Sequence, residues 1–131
     1  MRAFLLSAGL GTRLHPVTKS IPKCLVNING RPLIDIWVDT LSKNGISEIL
    51  INLHYLPGLV RSHLSNSHYS ANITTVFEKT LLGTGGSLLK NKDFFNNQPL
   101  MLVHADNLSI FDVHAFIERF QNRGKDIEIT M

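Results

Sequence analysis

Short apolar runs alternate with amphipathic segments along the whole chain. The first run, residues 3–8, is short, apolar and bounded by glycine, which is typical of a strand buried on both faces of a parallel sheet. Four more strands are predicted at residues 48–53, 73–77 and 100–103, and at a last segment where Ile127 and Ile129 alternate with polar neighbours.

Helices are predicted between these strands. Pro32 suits a first helical turn, and apolar residues then repeat at spacings of three and four until Asn44 and Gly45 end the helix. Further helices are predicted at residues 58–64, 84–90 and 111–120, with loops at 9–24 and 65–72. This alternation predicts a doubly wound α/β fold, a Rossmann-like and mostly parallel sheet with helices on both faces in three layers.

Glycines and polar residues follow the predicted strands. Ligands of open α/β sheets bind outside the carboxyl ends of the strands. Four features fall at such ends: the glycine loop after the first strand, Asn52 to His54, Glu78 to Gly83, and Asp106. The sequence therefore predicts one ligand site at this edge of the sheet.

Size and composition narrow the class of protein. A chain of 131 residues with 44% hydrophobic residues supports one globular domain over 1–131. A net charge of +3 with scattered basic residues argues against nucleic acid as a partner. No segment is long and apolar enough to span a membrane, and the chain opens directly on a core strand rather than a signal peptide. The single cysteine, Cys24, excludes an intrachain disulfide, so a cytoplasmic location is expected.

The loop after the first strand carries the groups that a phosphate needs. Gly9 and Gly11 allow the backbone to approach an anion and to point N–H groups at it. Arg13 offers a planar donor fork for phosphate oxygens, and Lys23 offers a compact positive charge. The stretch therefore predicts a phosphate site with two cations.

The longer string Gly-x-Gly-Thr-Arg-Leu-x-Pro-x-Thr-x-x-x-Pro-Lys, from Gly9 to Lys23, resembles the signature of the sugar-1-phosphate nucleotidyltransferases. Gly30 to Ile34, Glu78 with the Leu-Gly-Thr-Gly-Gly run from Leu82, and Asp106 resemble further segments of that family in the expected order. The resemblance covers nearly all of the chain. Within the family, the chain is most similar to guanylyltransferases acting on mannose- or heptose-1-phosphates.

The resemblance implies transfer of a nucleotidyl group from a nucleoside triphosphate, best GTP, to a sugar-1-phosphate, with release of pyrophosphate. It implies that Arg13 and Lys23 are catalytic and that Asp106 binds Mg²⁺. The nucleotide-binding residues that it implies are Ala8, Gly9, Gly11, Thr12, Arg13, Glu78, Gly83 and Thr84.

Other interpretations stay open at this point. One is a module that senses a nucleotide or nucleotide sugar without catalysis, and another is a uridylyltransferase of N-acetylmuramic acid 1-phosphate. A dinucleotide-dependent oxidoreductase is disfavoured because Leu14 stands where its glycine pattern needs a third glycine.

Several residues have a structural interpretation beside the functional one. Trp37 and Cys24 are expected to pack in the core and His104 to be structural, whereas Asn52, His54 and Tyr55 could contact a ligand or fasten a loop. Family members are longer than this chain, so residues 1–131 are expected to be the truncated nucleotide-binding part of a domain. An exposed strand edge near Ile127 and Ile129 is then expected to favour self-association into a homo-oligomer.

Overall fold

The computed structural model describes all 131 residues. The strands are β1 Arg2–Leu6, β2 Asn27–Ile28, β3 Arg31–Pro32, β4 Glu48–Leu53, β5 Asn72–Phe77 and β6 Leu100–His104. The helices are α1 Leu33–Lys43, α2 Pro57–Asn66, α3 Gly83–Lys90, α4 Lys92–Phe95 and α5 Val113–Gln121.

The main sheet has four parallel strands in the order β5-β4-β1-β6. The chain first builds outward from β1 through β4 to β5 and then returns to place β6 on the other side of β1. Leu6, the last residue of β1, is in register with Asn52 on one side and with His104 on the other. The strand order thus reverses between β1 and β6, and a crevice opens at the carboxyl ends of strands at such a point.

Helices cover both faces of this sheet, as the sequence predicted. Alternate residues of β1 point to opposite faces because strand side chains repeat every two residues. Ala3 and Leu5 belong to a large core cluster that includes residues of α1, α2 and α5. Phe4 and Leu6 belong with Leu50 to a smaller cluster, which α3 and α4 cover with side chains that include Leu88, Phe94 and Phe95. The longest helix, α1, has 11 residues, and no helix is both long and apolar enough to cross a lipid bilayer.

The predicted fifth strand at Ile127 and Ile129 is wrong. Residues 122–131 contain no strand, and their backbone bonds locally. The Ile127 N–H donates to the Gly124 carbonyl at 3.0 Å, and Arg123 Nε donates to the Ile127 carbonyl at 2.6 Å. Alternating side chains become a strand only where the backbone finds a neighbouring strand, and this segment pairs with none.

Other elements differ from the predictions in detail. The sequence analysis missed the small β2–β3 hairpin, although Asn29 and Gly30 at its turn both have positive φ, 50° and 81°. An Asn-Gly pair is the common signal for such a turn. The predicted loop at 9–24 contains three short 3₁₀ turns, Thr12–Leu14, Val17–Lys19 and Lys23–Leu25. The polar stretch 65–72 is a loop only after α2 ends at Asn66.

Candidate active site

A cavity of about 230 Å³ lies at the carboxyl ends of the four parallel strands. Each strand contributes to it, either by its last residues or by the loop that follows. The residues that line it are Leu6, Ala8, Gly9, Asn52, Glu78, Leu81, Gly83, Thr84, Ser87, His104 and Asp106. The predicted meeting of the four sequence features at one edge of the sheet is thus confirmed.

The loop after β1 is shaped around Gly11. Its φ of +66° lies in the left-handed region, which glycine adopts without strain. The Gly11 carbonyl accepts hydrogen bonds from Thr18 Oγ1 at 2.7 Å and from the Leu14 N–H at 3.0 Å. Because the two polar groups of a trans peptide point in opposite directions, the Thr12 N–H is turned away from these donors. The loop thereby presents a main-chain donor on its outer side.

Lys23 and Asp106 form an ion pair at this edge. Lys23 lies in the 3₁₀ turn that follows Pro22, and its Nζ is 3.0 Å from Asp106 Oδ2. The two side chains are 24% and 35% exposed, so solvent and ligands reach both groups. Asp106 is held near β1 because the N–H of the adjacent Ala105 donates to the Leu6 carbonyl at 3.0 Å.

Asp106 has the chemistry of a magnesium ligand. Its other carboxylate oxygen has no hydrogen-bond or ion-pair partner within the protein. No cluster of three or more His, Cys, Asp or Glu side chains suited to a metal occurs anywhere in the chain. Magnesium commonly takes one or two carboxylates and completes its shell with phosphates and waters, so a single aspartate beside the glycine loop fits the ion.

Trp37 fixes the turn that follows Asp106. It is buried in the core, 4% exposed, as the sequence predicted. Its Nε1–H also donates to the Asn107 carbonyl at 2.7 Å. Helical periodicity identifies a core tryptophan, but it carries no information about this bond to a residue 70 positions away.

Glu78 lies at the floor of the cavity and is only 1% exposed. Its Oε1 accepts hydrogen bonds from Asn52 Nδ2 at 3.0 Å and from the Ser87 hydroxyl. Its Oε2 has only a long contact of 3.5 Å with the Leu82 N–H. A buried carboxylate needs such donors, and one of its two oxygens retains most of its capacity to accept.

Six of the predicted site residues line the cavity: Ala8, Gly9, Glu78, Gly83, Thr84 and Asp106. Lys23 does not line the cavity itself but pairs with Asp106, which does. Gly11, Thr12 and Arg13 do not line it. Arg13 is exposed and has no side-chain hydrogen bond or ion pair, so it is free to turn toward a ligand. The sequence analysis did not single out Leu81 and Ser87, since neither residue type carries a chemical signal by itself.

His54 and Tyr55 fasten loops near the cavity. His54 Nδ1 donates to the Glu78 carbonyl at 2.7 Å, and the Tyr55 hydroxyl donates to the Lys19 carbonyl at 2.9 Å. The second bond ties β4 to the loop that carries Lys23. Of the two readings that the sequence left open, these contacts support the loop-fastening one for both residues.

Cys24 has the surroundings of a packed thiol. It is 1% exposed, and burial raises the pKa of the thiol to about 12, although the Ser7 hydroxyl opposes this effect. The thiolate, which is the nucleophilic form, is therefore almost absent at neutral pH. This agrees with the prediction that Cys24 packs rather than reacts.

Comparison with known proteins identifies the family. The model of the nucleotidyl transferase family matches residues 2–131. The chain is 32% identical over 102 residues to the D-glycero-alpha-D-manno-heptose 1-phosphate guanylyltransferase of Campylobacter jejuni, covering 78% of this chain and 46% of that protein. It is 27% identical over 135 residues to the mannose-1-phosphate guanyltransferase beta-B of Xenopus laevis, covering 100% of this chain and 38% of that protein.

A solved structure agrees with these sequence relatives. The HddC protein of Yersinia pseudotuberculosis, complexed with GMP-PN, superposes with a TM-score of 0.79 at 26% identity, covering 92% of this chain and 54% of that one. The chain belongs to the nucleotidyl transferase family. It spans about half the length, or less, of the relatives that it matches.

The two glycines of the loop after β1 should differ in how substitution changes the stability of the chain. A Cβ at Gly11 would lie 3.2 Å from Thr18 Cγ2 and 3.3 Å from Lys23 Cβ in a backbone of positive φ, whereas a Cβ at Gly9 meets nothing within 4 Å. Gly11→Ala should lower the free energy of unfolding by about 1–3 kcal/mol. Gly9→Ala, the matched control, should change it by less than about 0.5 kcal/mol.

Urea unfolding followed by circular dichroism measures both values. Equal stabilities of the two variants would show that the left-handed turn at Gly11 does not constrain the loop.

Proposed function

We propose that this chain forms the nucleotide-binding part of an enzyme that transfers a nucleotidyl group from a nucleoside triphosphate to a sugar-1-phosphate. The observation that carries the proposal is the Lys23–Asp106 pair, 3.0 Å apart, beside the glycine loop at the strand-order reversal. The pair places a cation that would bind phosphate next to a carboxylate that would bind a metal ion. Membership of the nucleotidyl transferase family supports the same chemistry.

In this reaction an oxygen of the sugar phosphate attacks the α-phosphorus, that bond forms, and the bond to pyrophosphate breaks. The nucleophile is already an anion, so no general base is needed. Catalysis then depends on position and on neutralising charge. Lys23 would contact the α-phosphate, Arg13 would bind the β- and γ-phosphates, and main-chain N–H groups from Ala8 to Thr12 would hold the triphosphate.

Asp106 would hold Mg²⁺. The ion would supply neutralisation of the phosphate charge when bound. In the ligand-free chain Lys23 already occupies one oxygen of this carboxylate. Binding of a triphosphate gives the ammonium a new anionic partner, so Lys23 can leave Asp106 without being left as an unpaired charge.

Glu78 supports guanine as the base. Its Oε2 is the less used acceptor at the cavity floor. The edge of guanine carries adjacent N–H donors, including its exocyclic amino group, which match an acceptor oxygen. Gly83 lines the cavity, and nothing lies within 4 Å of where a Cβ on it would be, so it leaves room for a flat ring beside Glu78. We therefore propose GTP as the nucleotide and mannose- or heptose-1-phosphate as the acceptor, consistent with the names of the two sequence relatives.

Location and assembly complete the proposal. The buried free thiol of Cys24 fits a reducing compartment such as the cytoplasm. Exposed apolar residues near the end of the chain, Ile127 and Ile129 among them, support association with a second copy when nothing else covers them.

Base preference tests the proposed function. The chain should bind GTP more tightly than UTP, CTP or ATP in titration calorimetry with Mg²⁺. Glu78→Gln should weaken GTP binding by about ten-fold or more. The glutamine amide can turn its N–H₂ group toward the N–H donors of guanine, where the carboxylate of Glu78 offers acceptor oxygens. Glu48→Gln is the matched control, since Glu48 also accepts an asparagine amide, from Asn72, but at the amino end of the sheet.

One outcome of this titration and one outcome of a pyrophosphate-release assay favour other functions. Preference for UTP would favour the uridylyltransferase alternative. In a protein that combines this chain with the remaining length of a relative, tight GTP binding without release of pyrophosphate after any sugar-1-phosphate is added would favour a sensing module.

Competition between Lys23 and magnesium gives a further prediction. Without nucleotide, Lys23→Met should tighten Mg²⁺ binding by about two- to five-fold, the equivalent of one partly exposed ion pair. Asp106→Asn should remove the binding. Lys19→Met is the control, because Lys19 is an exposed cation of the same loop without an ion-pair partner.

Calorimetry with Mg²⁺, checked by the paramagnetic effect of Mn²⁺ on water relaxation, measures these affinities. Unchanged metal binding in Asp106→Asn would remove Asp106 from the metal site. Weaker binding in Lys23→Met would show that Lys23 does not compete with the ion.

A further inference from the structure

Asn52 is a buried polar residue near the carboxyl end of β4, an inner strand of the sheet. It is 2% exposed and lies between Ile51 and Leu53, which are 0% and 1% exposed. Burying an amide without partners is costly, and an apolar side chain would suit this position of a central strand better. The hydrogen bonds that Asn52 makes therefore decide what it does there.

All of these bonds lead to segments that line the cavity. Asn52 Oδ1 accepts from the Ser7 N–H at 2.7 Å, and the Asn52 carbonyl accepts from the Ser7 hydroxyl at 2.5 Å. Asn52 Nδ2 donates to Glu78 Oε1 at 3.0 Å and to Ser87 Oγ at 3.3 Å. The side chain thus uses both of its N–H donors and its oxygen.

The chemistry of the partners fixes the orientation of the amide. The Ser7 N–H can only donate, so it must face Oδ1, and the Glu78 carboxylate can only accept while ionised, so it must face Nδ2. Aspartate would put a second carboxylate against Glu78, and leucine would leave the Ser7 N–H unpaired and remove one of the two donors to Glu78 Oε1. Asparagine is therefore matched to its two neighbours in a way that neither of these shape analogues is.

We propose that Asn52 is a positioning residue that sets the distance between the phosphate loop and the loop that faces the base. Ser7 begins the phosphate loop, which follows β1. Glu78 begins the loop that faces the base, and Ser87 lies in α3, which follows that loop. This inference rests on the proposed function, because it assigns the two ends of a nucleotide to these two loops. Asn52 itself would touch neither the phosphates nor the base.

Such a link acts by preorganisation. A nucleotide that spans two loops binds tightly only if both loops are already at the correct spacing, since ordering them during binding consumes binding free energy. On the phosphate side the link ends at Ser7, whose N–H and hydroxyl both bond to Asn52. Asn52 thereby connects Ser7 directly to Glu78.

β4 and β5 carry a second asparagine–glutamate pair, which supplies a control for this role. At their amino ends Asn72 Nδ2 donates to Glu48 Oε1 at 2.7 Å, in an exposed pair that contacts no part of the cavity. β4 and β5 therefore carry an asparagine–glutamate bond at each end. Only the pair at the carboxyl end joins the two loops.

Asn52→Leu and Asn72→Leu test the proposal with two probes, GTP and inorganic tripolyphosphate, by titration calorimetry with Mg²⁺. Asn52→Leu should weaken GTP binding by about ten-fold and change tripolyphosphate binding much less, because tripolyphosphate engages one loop only. Asn72→Leu should leave both affinities unchanged. A loss of stability alone would lower both affinities together in Asn52→Leu or leave both unchanged.

Amide hydrogen exchange in the ligand-free chain gives a second readout. Asn52→Leu should speed exchange of Ser7 and Leu82 together, beyond any change at the β4 and β1 core amides. Ser87→Ala, which removes one partner of the Asn52 amide, should produce smaller changes of the same kind, and it decides the matter if Asn52→Leu does not fold.

The outcomes separate the inference from the proposed function. If the unmodified chain binds GTP and Asn52→Leu keeps its ratio of GTP to tripolyphosphate affinity, the positioning role is overturned and the proposed function stands. If the unmodified chain binds neither probe, both are overturned.

Discussion

The parallel pairing of β1 with β4 on one side and β6 on the other determines where every candidate site residue lies. Because the chain turns toward β4 after its first crossover and returns to β6 later, the loop after β1 faces a crevice that no crossover fills. The register carries Leu6, Asn52 and His104 to the same level. The glycine loop after β1, the Glu78 segment and Asp106 are neighbours for this reason, although they are far apart in sequence.

The charged groups of this crevice already have partners before any ligand arrives. Lys23 and Asp106 neutralise each other, and Asn52, Ser87 and the Leu82 N–H solvate the carboxylate of Glu78. No buried polar side-chain atom is left without a partner. A triphosphate with its metal would exchange these internal contacts for external ones, and binding strength would depend on the difference between the two sets rather than on the new contacts alone.

Sequence patterns predicted the parts of the fold that depend on burial. The strand at Glu48–Leu53 was predicted at its exact ends, since a short apolar run in a parallel sheet is bounded by the change to polar residues. Periodicity failed at Ile127 and Ile129, where strand formation depends on a partner. The Asn29–Gly30 turn carried a readable signal that the loop assignment missed.

The site was predictable where residue type alone carries the chemistry. The glycines after an apolar strand, a lysine after a proline and an aspartate after an apolar strand are visible in the sequence. The Lys23–Asp106 pair, the Trp37 bond to Asn107 and the four bonds of Asn52 are not, because each joins residues separated by at least 26 positions.

The most direct test of this account is to map where a nucleotide binds on this chain. Amide chemical-shift changes should be recorded by NMR while a non-hydrolysable GTP analogue and Mg²⁺ are added to the labelled chain. The account predicts the largest changes at Gly9, Gly11, Lys23, Leu82 and Asp106, around the crevice between β1 and β6. Changes centred instead on α5 and residues 122–131, or on no contiguous surface, would contradict it.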